Sequence, residues 1–119
     1  MNVRPDHHGF ELSLRGVKTV ELSKLRRLFE SNILTEVELG SQNMILDITD
    51  VRVMDGETRS WLNKKLTETG VGRIAILAEG PIPSLIAGFL ETNIHRTVPM
   101  RRFSSSEEAE YWFRSTMEN

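Results

Sequence analysis

The run Met44-Ile45-Leu46-Asp47-Ile48-Thr49-Asp50-Val51-Arg52-Val53-Met54-Asp55-Gly56-Glu57-Thr58 decides the architecture of this chain. Its first five residues are almost all apolar and are bounded by turn formers. Such a run suits a strand covered on both faces, as in a parallel sheet between helices. Thr49 to Asp55 reads as a connection. From Gly56 to Thr69, Thr58, Trp61, Leu62 and Leu66 recur on one helical stripe, with Arg59, Lys64, Lys65 and Glu68 opposite, and Gly70 supplies the stop. Strand, loop and helix in that order put the loop at the carboxyl end of a buried strand, where open α/β sheets gather ligands.

Working outward, Phe10-Glu11-Leu12-Ser13-Leu14 alternates as a half-buried strand does, and Gly16 breaks it. Between about Val20 and Leu34, the residues Leu25, Leu28, Phe29 and Asn32/Ile33 recur at helical spacing among Lys24, Arg26, Arg27 and Glu30. That segment reads as an amphipathic helix reaching toward Val37, and Gly40-Ser41 turns the chain. On the other side, Arg73 to Ala78 is a second buried strand and Gly80-Pro81-Ile82-Pro83 a turn. Ile82, Leu85, Ile86, Phe89 and Leu90 then trace an apolar helical stripe. Thr97 to Phe103 is the last strand, with Pro99 placing it at an edge or bulge. Within Ser104-Ser105-Ser106-Glu107-Glu108, serine followed three residues later by glutamate is a capping box. It opens a helix that buries Ala109, Trp112 and Phe113.

Four strands alternate with four helices. The expectation is one α/β domain over residues 1–119, its core at about 10–113, with a mostly parallel or mixed sheet. Its 119 residues suffice for one core without staples. A net charge of −2 argues against nucleic acid as partner. The absence of cysteine excludes disulfides and thiolate chemistry and fits a reducing compartment. Met1-Asn2-Val3-Arg4-Pro5-Asp6 does not read as a signal peptide, and no apolar run is long enough for membrane insertion. A cytoplasmic location is expected.

The candidate sites have plain alternatives. Asp55 sits where a helix N-cap belongs, and its carboxylate suits the positive end of the helix. Asp47, Asp50 and Asp55 offer oxygens to a hard cation, but strand alternation separates Asp47 from the others, so no metal or other cofactor is expected. His7-His8 and His95 lack the further ligands or oriented partner that a metal or acid–base role needs. Gly70-Val71-Gly72 follows a helix, the reverse of a phosphate cradle. Ser104 to Ser106 stands in no recognisable relation to a histidine. No catalytic constellation emerges, and an enzyme is not expected.

These residues resemble a family. Ile45-Leu46-Asp47-Ile48-Thr49-Asp50-Val51, then Met54-Asp55-Gly56, a helix, and Ile74 to Ala78 are similar to STAS domains, the fold of the SpoIIAA anti-sigma-factor antagonists. Pro99 to Ala109 resembles their last strand and final helix entry. Gly80 to Phe89, with Trp112, is similar to small uncharacterised bacterial SpoIIAA-like proteins. The resemblance implies a non-catalytic regulatory module that binds a protein partner through Asp55, Gly56, Glu57, Thr58 and Arg59, with Lys64 on the rim. It also implies a phosphoacceptor serine directly after the loop aspartate. Here that position is Gly56, and Thr58 and Ser60 are the nearest hydroxyls. The fold's similarity to CRAL-TRIO lipid-binding domains implies an alternative, an apolar-ligand pocket walled by Ile82, Leu85, Ile86 and Phe89. A homodimer is compatible with either reading.

Overall fold

The computed structural model describes residues 1–6, 9–33, 43–68, 71–93 and 98–117. Five strands form one mixed sheet in the spatial order of the chain: β1 (Asn2–Asp6), β2 (Gly9–Ser13), β3 (Asn43–Asp47), β4 (Arg73–Leu77) and β5 (Met100–Phe103). β1 pairs antiparallel with β2, and the other neighbours are parallel. Parallel neighbours need crossovers. These are α1 (Leu22–Leu28, continued by a π-type turn at Phe29–Ile33), α2 (Gly56–Glu68) and α3 (Pro81–Asn93). A last helix, α4 (Ser106–Met117), follows β5.

The pleat sorts the buried runs into two cores. Met44, Leu46 and Ile48, with Ile74, Ile76 and Ala78, point to the side of α1, α2 and α3 and pack with Leu25, Phe29, Leu62, Leu66, Ile86 and Leu90. Ile45, Ala75 and Leu77 point the other way, under Ala109, Trp112 and Phe113 of α4. The α/β alternation is therefore as expected, and the near-continuous strands are apolar because both faces are covered.

Three details differ from the sequence reading. β1 is an additional strand, an edge strand in which Pro5 is tolerated because one side of its backbone makes no ladder. α3 is rotated relative to the expected stripe: Pro83, Ile86, Ala87 and Leu90 are buried, whereas Ile82 and Leu85 face outward. On α2, Asn63 joins Thr58, Leu62 and Leu66 in the interior, while Trp61 is only half-buried.

The helix starts are built as the sequence implies. The Thr58 N–H donates to the Asp55 carboxylate at 2.8 Å, which makes Asp55 the cap of α2. Ahead of α4, the Glu108 N–H donates to the Ser105 hydroxyl at 3.3 Å. The Glu108 carboxylate in return accepts from the Ser104 hydroxyl at 2.8 Å and the Ser104 N–H at 3.2 Å. His7, His8, Val37, Gly40, Ser41, Gly70, His95 and Arg96 lie outside the described residues.

Candidate functional site

The four parallel strands end in register, with Ser13 opposite Asp47, Asp47 opposite Leu77, and Leu77 opposite Phe103. Three further bonds carry the ladder one residue on. The Leu14 N–H donates to the Asp47 carbonyl at 2.9 Å, Ile48 to Leu77 at 3.0 Å, and Ala78 to Phe103 at 3.0 Å. Beyond this line the chain leaves the sheet, so the connections after β2, β3, β4 and β5 share one carboxyl edge.

The connection between β3 and α2 is pinned to the one after β2. The Arg52 and Val53 N–H groups both donate to the Lys18 carbonyl at 2.8 Å, and the Val20 N–H returns a bond to the Val53 carbonyl at 3.0 Å. The Gly16 N–H, at a residue with φ of 80°, donates to the Asp50 carboxylate at 2.8 Å. Glycine suits that left-handed position because no Cβ opposes it. Val51 and Met54 plug into the core while Val53 between them is 53% exposed. The loop thus has two buried anchors and an outward apolar tip.

Asp47 is fully buried at the end of β3. Its carboxylate accepts from the Arg15 Nε–H at 2.8 Å, the Thr49 hydroxyl at 2.7 Å and the Thr49 N–H at 3.0 Å. Burial pushes this carboxyl up, but the bonds from Arg15 and Thr49 outweigh it and hold it below the ordinary carboxylate range. Asp55 is also held low, chiefly by the Thr58 N–H and then by its hydroxyl. Each of the three loop aspartates thus has its own partner: Arg15 and Thr49 for Asp47, Gly16 for Asp50, Thr58 for Asp55. Among the described residues no three acids or histidines gather with metal-binding geometry.

The sequence-derived surface residues separate into roles. Asp55, Gly56 and Glu57 are exposed at the start of α2, and Thr58 is buried. Arg59 turns sideways so that its guanidinium lies over the Phe89 ring of α3 at 4.7 Å. Its Nε is buried without a hydrogen-bond partner, as is Oδ1 of Asn63 one turn on. Of the residues expected to wall an apolar pocket, Ile86 is in the core, Phe89 is half-buried beneath Arg59, and Ile82 and Leu85 are 41% and 74% exposed.

The Arg15–Asp47 pair went unread in the sequence. Its signal was present: a lone carboxylate inside a buried apolar run requires a partner. No family model matches the chain, and neither does a curated protein or a solved structure. Among the described residues no helix is long and apolar enough to cross a membrane.

Proposed function

We propose that this chain is a non-catalytic regulatory module resembling the STAS (SpoIIAA-like) antagonists, and that it docks a protein partner on the carboxyl edge of its sheet. One observation carries the reading. Of the four large apolar side chains exposed among the described residues, three belong to segments that follow the carboxyl ends of strands: Val53 on the pinned loop after β3, and Ile82 and Leu85 in the first turns of α3 after β4. Such residues usually sit inside, and presented at the carboxyl end of the sheet they offer the apolar contacts that a docking surface needs. Arg52, Glu57 and Glu79, neighbours of these segments in sequence, are exposed and polar.

The loop's carboxylates also favour recognition over chemistry. Asp47, Asp50 and Asp55 stabilise the edge and present a fixed shape, which lowers the ordering cost of association. With Gly56 in the phosphoacceptor position, a switch there has no hydroxyl to modify. Thr58 is 1% exposed and withdrawn from any kinase, which leaves Ser60, exposed on α2, as the nearest accessible hydroxyl.

The test is affinity capture with wild-type protein beside Leu85→Glu and Glu57→Arg, with mass spectrometry of bound proteins and lipids. Thermal unfolding of all three controls for folding. The expected result is one protein partner, lost in Leu85→Glu and weakened in Glu57→Arg, at unchanged unfolding temperature. A bound lipid without a protein partner would overturn the reading in favour of apolar-ligand binding.

A further inference from the structure

The outer seam between α1 and α2 carries a second surface, on the far side of α2 from α3. Trp61 stands edge-on to the fully buried Phe29, with ring centroids 5.3 Å apart and planes at 83°. That contact fixes the indole while leaving it half-exposed. Two cations from different helices converge on the ring: the Arg26 guanidinium of α1 at 5.9 Å and the Lys65 ammonium of α2 at 5.8 Å from its centroid. Lys64, next to Lys65 in sequence, is exposed, and Arg27 turns to a neighbouring groove with Met1, Lys24, Leu28 and Ser31.

Most of this charge is unanswered. Lys65 pairs with Glu68 at 3.2 Å, and Lys24 with Glu21 at 2.9 Å. Among the described residues Arg26, Arg27 and Lys64 have no carboxylate partner. A cation held over an aromatic face keeps its donors free at the edges, and a guanidinium presents them in the fork that a carboxylate matches. Tryptophan and arginine are also the side chains that most often anchor protein interfaces.

We infer that the Arg26–Trp61–Lys65 seam docks a short acidic segment of a partner protein, with an apolar side chain on the indole and carboxylates on the flanking cations. Charge selects this occupant. The seam is locally positive, and a short acidic segment can place its charge on the seam alone, whereas an extended polyanion such as nucleic acid or an acidic bilayer also meets the acids of a chain that carries −2 overall. Two helices are also too narrow a strip to neutralise a row of phosphates, whereas a few carboxylates suit it. This inference does not rest on the carboxyl-edge surface, which lies at the loops and N-terminal starts of α2 and α3 rather than along the seam.

The experiment is a titration of the full chain with a short synthetic peptide of glutamates around one leucine, followed by tryptophan fluorescence. Trp112, the other indole, is a buried residue of α4 on the opposite face of the sheet, so the change belongs to Trp61. The expected result is a saturable change that is absent in Trp61→Phe and weakens with salt. Affinity should fall at least about tenfold in the double variant Arg26→Glu/Lys65→Glu. If charge reversal unfolds the chain, Arg26→Gln/Lys65→Gln serves instead, with far-UV circular dichroism as the folding control. No fluorescence change, or equal affinity in the double variant, overturns the inference. Tighter binding of a single-stranded oligonucleotide or of phosphatidylserine vesicles at the same ionic strength overturns it too.

Discussion

The guanidinium of Arg15, with its side chain 70% exposed, reaches 2.8 Å to the Asp47 carboxylate, whose side chain is fully buried. The pair joins the first residues after β2 to the last residue of β3, so a surface arginine neutralises the carboxylate that, alone among the described residues, is buried. The two partners are unequal. Water can replace Arg15 in part, but nothing replaces Asp47.

Asp47→Ala should therefore cost about 1–3 kcal/mol, because the Thr49 hydroxyl and N–H lose their acceptor while Arg15 is left in water. Arg15→Ala should also cost about 1–3 kcal/mol, because the carboxylate keeps its Thr49 bonds but is left without its cation. The sign of the pH effect follows from the lowered carboxyl of Asp47. Its contribution is full above the unfolded carboxylate value of about 3.9 and is lost as pH falls through the lower folded value. Denaturant unfolding of wild type and Asp47→Asn across that range checks it: the gap between them should narrow with acid, and a gap that widens would contradict the assignment.

Gly56 opens α2, and a Cβ built there would meet only the far end of the Arg59 side chain, at 3.7 Å. Gly56→Ala should raise stability by about 0.4–1 kcal/mol, because the unfolded chain loses freedom while the folded one has room. Gly56→Ser should fold equally well, which makes it a clean way to restore the hydroxyl the resemblance calls for. Urea midpoints for both variants decide the matter, and a fall in either would show hidden strain at the helix start.

Gly9 behaves in the opposite way. It begins β2 at φ of 150°, and its missing Cβ would overlap the Asn43 carbonyl of β3. Gly9→Ala should destabilise by about 2–3 kcal/mol through strain and a displaced ladder. Hydrogen exchange should show β1 and β2 losing protection first, with β4 and β5 little changed.

The second face of the sheet depends on α4. Phe113 is fully buried with Trp112 against Ile45, Ala75 and Leu77. Phe113→Ala should cost about 3–5 kcal/mol and expose that apolar surface. Binding of a hydrophobic dye at low denaturant would report the detachment. No dye binding at that loss of stability would mean that α4 repacks instead.

Much of the fold was legible because the sheet interior imposes continuous apolar runs. Met44–Ile48 and Arg73–Ala78 could hardly be anything else, and the Asp55 and Ser105 caps stand where the sequence puts them. β1 was not legible, since Val3 is its one strongly apolar residue and Pro5 interrupts the alternation. The phase of α3 departs from the expected stripe for a different reason. Pro83 and Ala87 are apolar as well, so the helix is apolar around most of its circumference and the sheet beneath selects the buried side. Of the candidate site, the loop and its cap could be read locally. The Arg15–Asp47 pair is separated by thirty-two residues and needed the parallel register to bring it together.

Arg59 tests whether the edge of α2 was selected for stability or for binding. Its guanidinium over Phe89 contributes roughly 0.5–1 kcal/mol, whereas its buried, unpartnered Nε–H costs about 1–3 kcal/mol. Arg59→Met keeps the stem packed on the ring and removes the unpaired donor. It should therefore leave stability unchanged or raise it by about 1 kcal/mol. If Arg59 serves the proposed docking surface, the same substitution should weaken partner affinity. Unfolding and partner capture measured on the same Arg59→Met preparation separate the two roles. Higher stability with weaker capture supports a docking role for Arg59, and lower stability with unchanged capture shows that it serves only the packing of α2 against α3.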